Sequence, residues 1–304
     1  MTQIRIIGVP MDLGSARRGV DMGPFALRYA DLRERLEKLG HSVDDVGNVA
    51  VPLREDAERG AQRGAHYLGS ITEVCREVAK RTQGALKAKR TPLVLGGDHS
   101  LAAGSIAGAA AHLAAERKRL GVVWIDAHGD INTPSSSTSG NVHGMPLAHL
   151  LGHGDAALAG LSGKKRAALH VEDVALVGVR DLDDAERAHL TAWKLKTHSM
   201  RELDERGVRT VMTEVIAQIS RHTDGIWISL DLDVLDPSVA PGVGTTAPGG
   251  MTYREAHLAM ELLADTGRIV GIDLVEANPV LDIRNQTAEI GAQLALSAFG
   301  KRIL

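Results

Sequence analysis

Cysteine occurs once in the 304 residues, at Cys75. A single cysteine excludes an intrachain disulfide and suits a reducing compartment. Its place inside a helical pattern marks it as a buried, inert thiol. Aromatic residues make up only 3% of the chain, against 33 glycines, which favours close helix–sheet packing and glycine-bearing turns. No apolar run approaches the roughly 18 residues of a membrane span. Neither sign of charge dominates: 35 basic residues face 38 acidic ones, for a net charge of −3 and a pI of about 6.5. That balance offers no electrostatic footprint for nucleic acid or an anionic membrane. The opening stretch, Met1-Thr2-Gln3-Ile4-Arg5-Ile6-Ile7-Gly8, reads as a strand and lacks the basic start and long apolar stretch of a signal peptide. The expected compartment is the cytoplasm.

Apolar residues make up 44% of the chain and charged residues 24%, ordinary values for a soluble globular protein. Short apolar runs alternate with helical patterns throughout, the signature of a mostly parallel sheet covered on both faces. Strands are expected at 4–9, 42–46, 93–95, 122–126, 174–179, 195–198, 226–231 and 269–275. Helices are expected at 24–39, 56–89, 100–120, 184–191, 202–221 and 252–264. Gly40 sits where a helix C-terminus favours glycine, and Asp21 or Gly23 with Pro24 opens the first helix. No repeat and no domain-separating linker is visible, so residues 1–304 read as one domain. The Ser/Thr-rich stretch 133–140 reads as a substrate loop, because it follows directly on a chemically loaded segment.

Three segments carry that chemistry: Gly96-Gly97-Asp98-His99-Ser100, Asp126-Ala127-His128-Gly129-Asp130 and Asp231-Leu232-Asp233. Each follows an apolar, strand-like run. In extended chain, residues two apart point to the same side, so Asp126, His128 and Asp130 can converge, as can Asp231 and Asp233. A parallel sheet gathers such strand ends at its carboxyl edge, where open α/β sheets hold their ligands. Bland readings exist for each residue alone: Asp98 or Asp126 can cap a following helix, and His99 can be a satisfied core histidine. Three strand ends with the same residue types outweigh them. Two imidazoles and four carboxylates suit a pair of divalent cations that share and acidify a water, as in a two-metal hydrolase. The absence of thiolate argues against structural zinc and leaves Mn²⁺, Fe²⁺, Co²⁺ or Ni²⁺ open.

Beyond these segments, Gly8-Val9-Pro10-Met11-Asp12-Leu13-Gly14, Gly19-Val20-Asp21-Met22-Gly23-Pro24, Ser139-Gly140-Asn141-Val142-His143-Gly144, Thr252-Tyr253-Arg254-Glu255 and Val275-Glu276-Ala277-Asn278-Pro279 complete a pattern. The chain resembles the arginases, dinuclear manganese enzymes of the ureohydrolase family, nearly end to end. The resemblance implies a three-layer α/β/α fold with a mostly parallel eight-stranded sheet. It implies two Mn²⁺, with Co²⁺, Ni²⁺ or Fe²⁺ as substitutes. His99, Asp126, Asp130 and Asp231 would hold one ion, and Asp126, His128, Asp231 and Asp233 the other. A bridging hydroxide, hydrogen-bonded to Asp130, would attack the guanidinium carbon of L-arginine to yield urea and ornithine. Glu276 would pair with the guanidinium, and Thr245 would lie near it. Asn132, Ser139 and Asn141 belong to the substrate side of the loop, with Asn132 and Ser139 on the α-carboxylate. Asp183 would take the α-ammonium, and His143 would shuttle protons. The likeness around Arg254-Glu255 implies a homotrimer or homohexamer.

Two positions depart from the arginase pattern. Val234 stands where arginases commonly have glycine, which would be strained if the backbone there had a positive φ. In Gly244-Thr245-Thr246-Ala247-Pro248-Gly249-Gly250 the proline is displaced, which bears on the rigidity of the loop. Other ureohydrolases, cleaving agmatine, guanidinobutyrate or formiminoglutamate, would use the same metal centre; the loop through Asn132 and His143, with Asp183, favours arginine. A catalytically silent scaffold would have lost a ligand, and none of the six is missing. A zinc deacetylase would need a His-His pair and a tyrosine that the context of Tyr253 does not match.

Overall fold

Runs rich in Ile, Val and Leu form eight strands: β1 Gln3–Val9, β2 Ser42–Asn48, β3 Thr91–Gly96, β4 Leu120–Ile125, β5 Val174–Val179, β6 Lys196–Ser199, β7 Gly225–Asp231 and β8 Ile269–Val275. All eight stand where the apolar runs predict them. The structure is a computed structural model that describes residues 1–60, 64–163 and 167–302. Its helices are α1 Gly23–Tyr29, α2 Leu32–Lys38, α3 Leu68–Lys87, α4 Ala102–Ala115, α5 Pro146–Leu150, α6 Ala156–Ala159, α7 Asp184–Trp193, α8 Met200–Arg206, α9 Val208–Ser220, α10 Tyr253–Asp265 and α11 Gln286–Ala298.

The strands make one sheet in the order β2-β1-β3-β8-β7-β4-β5-β6, and every pairing is parallel. Successive side chains alternate between two cores. Ile4 and Ile6 join the layer of α1, α2, α8, α9, α10 and α11, whereas Ile7 and Val9 join that of α3, α4 and α5. Central strands β4, β5 and β7 are buried along their whole length, while the edge strands β2 and β6 are mostly not. This is the three-layer α/β/α arrangement expected from the sequence. Its consequence for function lies in the middle of the order: β3, β8, β7 and β4 are contiguous, so their carboxyl ends deliver four loops to one place.

Helix boundaries depart from expectation in instructive ways. The helix expected at 24–39 is two, broken at Asp31, whose φ is 55°. The one expected at 202–221 breaks at Gly207, with φ 77°. Of the stretch expected at 56–89, the helix begins at Leu68, and residues 61–63 lie outside the described residues. The helix expected at 100–120 opens with a 3₁₀ turn, His99–Leu101, and ends at Ala115. Helices α5, α6 and α11 were not expected. The α11 helix buries nearly every face, so it has no polar stripe to reveal its period.

Candidate metal centre and substrate pocket

Four strand ends build the site. After β3 the chain makes a tight approach: a Cβ on Gly97 would lie 1.9 Å from the Met11 carbonyl oxygen. Asp98 then caps the turn that begins at His99, its carboxylate accepting from the backbone N–H of Ser100 and of Gly14 at 3.0 and 2.8 Å. The capping role weighed for Asp98 is thus its observed one, and it is not among the metal-type groups. His99 is instead turned inward and stacks on Trp124, with ring centroids 4.2 Å apart.

The Nδ1 atom of His99 lies 3.1, 3.0 and 3.2 Å from Oδ2 of Asp126, Asp130 and Asp231. It is buried and has no hydrogen-bond partner. On the other side, His128 Nδ1 lies 3.0 Å from Asp233 Oδ2 and 3.4 Å from Asp126 Oδ1. Two groups able to hold a cation result, His99/Asp126/Asp231 and Asp126/His128/Asp233, and Asp126 belongs to both through different oxygens. Donor spacings of about 3.0 Å match the edge of an octahedron with bonds of about 2.1 Å. The remaining lone pairs are aimed by one indole N–H and by backbone amides. Asp126 accepts from Trp124 Nε1 at 3.0 Å and His128 N at 2.7 Å, and Asp231 from Asp233 N at 2.8 Å.

Electrostatics make the same point. Burial and the neighbouring Asp126 push the Asp130 carboxyl up to about 6, and burial with Asp233 and Asp126 pushes Asp231 well above its ordinary value. Four carboxylates in so small a buried volume are out of balance without positive charge. An unpartnered imidazole nitrogen facing three of them is the place for a cation, so the donor set fits a metal pair.

Glu276, at the end of β8, is fully buried. Its Oε1 accepts from the His99 backbone N–H at 2.9 Å and lies 3.0 Å from His143 Nδ1, while Oε2 has no partner. Burial opposes charge on His143, but Glu276 and Asp130 outweigh it and push the imidazole up to about 9. Both Asp130, with φ 54°, and Glu276, with φ 65°, sit in left-handed backbone. Such conformations concentrate at functional sites.

A cavity of about 110 Å³ opens over these groups, lined by His128, Asp130, Asn132, His143, Gly144, Glu186, Asp231 and Thr245. Thr245 Oγ1 donates to Asp233 Oδ2 at 3.1 Å. At the rim, Asn132 Nδ2 donates to Asp183 Oδ2 at 2.7 Å. Asp183 is also the N-cap of α7, in a reciprocal capping box with Glu186. Ser139 is exposed, accepting from Asn141 N at 3.2 Å, and neither it nor Asn141 or Asp183 lines the cavity.

Three side chains went unremarked in the sequence. Glu186 reaches the cavity, buried and pushed up to about 7 by desolvation and by Asp130; its capping-box spacing from Asp183 reads locally as helix structure alone. Asp181 comes within 3.9 Å of His128 Nε2. Arg180 spreads its guanidinium over the carbonyls of Asp233, Val234, Leu235 and Ala247 at 2.6–3.3 Å. It thereby ties the second metal segment to the loop of Thr245, and Asp236 adds bonds to the Gly249 and Gly250 amides at 2.9 and 3.3 Å. The displaced proline is thus offset by tethers. Val234 lies in a 3₁₀ turn outside the positive-φ residues, fully buried beside Gly178, so its backbone carries no strain.

A parallel α/β/α sheet with a buried His/Asp cluster able to hold two cations at its carboxyl edge defines a metal-dependent hydrolase. Residues 2–300 match the Arginase family. The chain is 47% identical to an arginase of Bacillus caldovelox over 304 residues, covering 100% of both chains, and 45% identical to one of Bacillus subtilis over 301, covering 99% of both. It superposes on the solved structure of the Bacillus caldovelox arginase with a TM-score of 0.95, at 46% identity and with both chains fully covered. The chain belongs to the arginase family.

Proposed function

We infer that this protein hydrolyses L-arginine to L-ornithine and urea. The observation that carries the reading is the cluster of two histidines and three aspartates, with Asp130 against His99, beside the free Oε2 of Glu276, in a chain similar to arginases over its full length. Two Mn²⁺ are the proposed resident ions, with Co²⁺, Ni²⁺ or Fe²⁺ as substitutes. His99, Asp126, Asp130 and Asp231 would hold one, and Asp126, His128, Asp231 and Asp233 the other. When bound, the pair supplies a water acidified towards a pKa of about 7.

The chain's own residues do the rest. Glu276 Oε2, buried and unpartnered, accepts N–H groups of the planar guanidinium and orients its carbon. Asp130 accepts a hydrogen bond from the attacking water. Addition forms a C–O bond at the guanidinium carbon, and collapse breaks the bond to the ornithine nitrogen. His143, held by Glu276, donates the proton that the departing amine needs and recovers it from solvent. Asn132 and Ser139, with Asn141 beside them, serve the α-carboxylate. Asp183 serves the α-ammonium, each of its oxygens keeping a second lone pair beyond its bonds to Asn132 and to the Glu186 amide. Glu186 and Thr245 close the cavity around the chain of the substrate.

The test is urea release from L-arginine and from agmatine, by chelated protein with and without added Mn²⁺. Mn²⁺-dependent turnover of arginine alone is expected. Turnover of agmatine would overturn the roles of Asn132, Ser139 and Asp183; silence on both would overturn the substrate class. We also propose one catalytic domain over 1–304, a cytoplasmic location and a homotrimer or homohexamer. In the single chain Arg254 pairs with Glu261 on its own helix, at 2.9 and 3.0 Å. A monomer by light scattering at micromolar concentration would refute the assembly.

A further inference from the structure

Strand β8 carries a second buried carboxylate, Asp273, that no step above uses. It lies fully out of solvent, paired in register with Val94 of β3 on one side and Ser229 of β7 on the other. An ionisable group in such a place is costly unless its hydrogen bonds repay the desolvation. Oδ2 collects three donors: Trp227 Nε1 at 2.8 Å, Ser105 Oγ at 3.0 Å and Ser229 Oγ at 3.4 Å. Indole N–H can only donate, so Asp273 is the acceptor at the end of this network.

Ser229 Oγ also lies 2.9 Å from Nε2 of His99. The other ring nitrogen, Nδ1, faces Asp126, Asp130 and Asp231. If Nδ1 holds a cation, the ring proton sits on Nε2. Ser229 must then accept from His99, and its own hydroxyl hydrogen is free for Asp273. Each link in the series His99, Ser229, Asp273 therefore has one possible direction.

We propose that Asp273 is a positioning residue for the metal centre, acting through Ser229 to hold His99 in its ligating tautomer and raise the basicity of the imidazole. The proposal rests on the reading of His99 as a metal ligand. Outer partners of this kind orient ligating histidines, and their loss typically weakens metal binding by roughly 10–100-fold. Parallel register supplies the geometry: Ser229 is two residues before Asp231 on the same side of β7, and Asp273 is its direct neighbour across the ladder.

The experiment is calorimetric titration of chelated protein with Mn²⁺, comparing wild type with Asp273→Asn, Ser229→Ala and His99→Ala. Asn keeps the shape of the side chain and an oxygen for the same three donors, and removes the charge that strengthens those bonds. In wild type two Mn²⁺ should bind, and Asp273→Asn should weaken one of them roughly 10–100-fold while the other is unchanged. Ser229→Ala should weaken that same site, and unfolding of the chelated variants should match wild type. Unchanged affinities in both variants, or equal loss at both sites with a lowered Tm, would overturn the role of Asp273 and leave the centre standing. Failure of wild type to bind two ions, or His99→Ala leaving both sites intact, would overturn the metal reading itself. Should Asp273→Asn not fold, Ser229→Ala decides: selective loss at one site supports the relay, and no change refutes it.

Discussion

Asp130 joins two roles that pull on one residue. Its carboxylate faces His99 at 3.0 Å, and its backbone has φ 54°, a conformation that Asn and Asp tolerate better than other side chains. Asp130→Asn is therefore the clean substitution, since it removes charge without disturbing the backbone. Turnover should fall by several orders of magnitude with an unchanged circular dichroism spectrum; near-wild-type turnover would remove Asp130 from the centre. Asp183 needs the same care, because it caps α7 as well as holding Asn132. Ala would remove the cap at a cost of about 1 kcal/mol and confuse the result. Asn retains a capping oxygen, so Asp183→Asn should raise KM for arginine far more than it weakens Mn²⁺ retention. Parallel loss of both would show the residue to be part of the scaffold only. Every metal-type side chain picked out in the sequence reaches the centre, but not by a continued strand period: β4 stops at Ile125, Asp130 lies in left-handed backbone, and His99 and Asp233 sit in 3₁₀ turns beyond their strands. Glu186, Arg180 and Asp273 were not legible, since their partners are brought in by other strands and loops.

Among the elements, breaks decide more than propensity. Met200–Arg206 and Val208–Ser220 have continuous helical composition, yet Gly207 turns the chain with φ 77° and ψ 144°. That backbone is essentially closed to a side chain, so Gly207→Ala should lower stability by about 1–3 kcal/mol in chemical denaturation and leave turnover of the folded fraction unchanged. A loss below 0.5 kcal/mol would mean that the break relaxes, by the usual bound for neutral surface changes. The loop at 244–250 is held differently. Asp236 accepts from Ser238 and from the amides of Gly249 and Gly250, which holds its carboxyl down at about 2, below the ordinary 3.8. A depressed folded-state value means stability that is present above the unfolded value and lost as pH falls through the folded one. The stability difference between wild type and Asp236→Asn should therefore be full above about pH 4 and vanish near pH 2. A pH-independent difference would assign the effect to packing.

For the whole molecule, the metal centre is also a fold element. It joins β3, β4 and β7 through buried like charges that repel in the folded chain and not in the unfolded one. Binding of cations to the folded state adds stability by mass action, about 2.7 kcal/mol at a hundredfold excess over Kd. Chelation should lower Tm on the order of 5 °C or more, and added Mn²⁺ should restore it. A Tm indifferent to chelator would separate the cluster from metal binding. The amino-acid sequence by itself determined the eight strands, the burial of the central ones on both faces and the residue types at their ends, because these follow from short-range periodicity and the chemistry of single side chains. Only the tertiary structure decided the order β3-β8-β7-β4 that brings those ends together. It also decided that Asp126 is shared between two groups, that Glu276 keeps one oxygen free, and that Asp273 lies behind His99. Those facts depend on strands that pair across more than 100 residues of chain, β3 with β8 and β4 with β7, and no local pattern encodes such pairing.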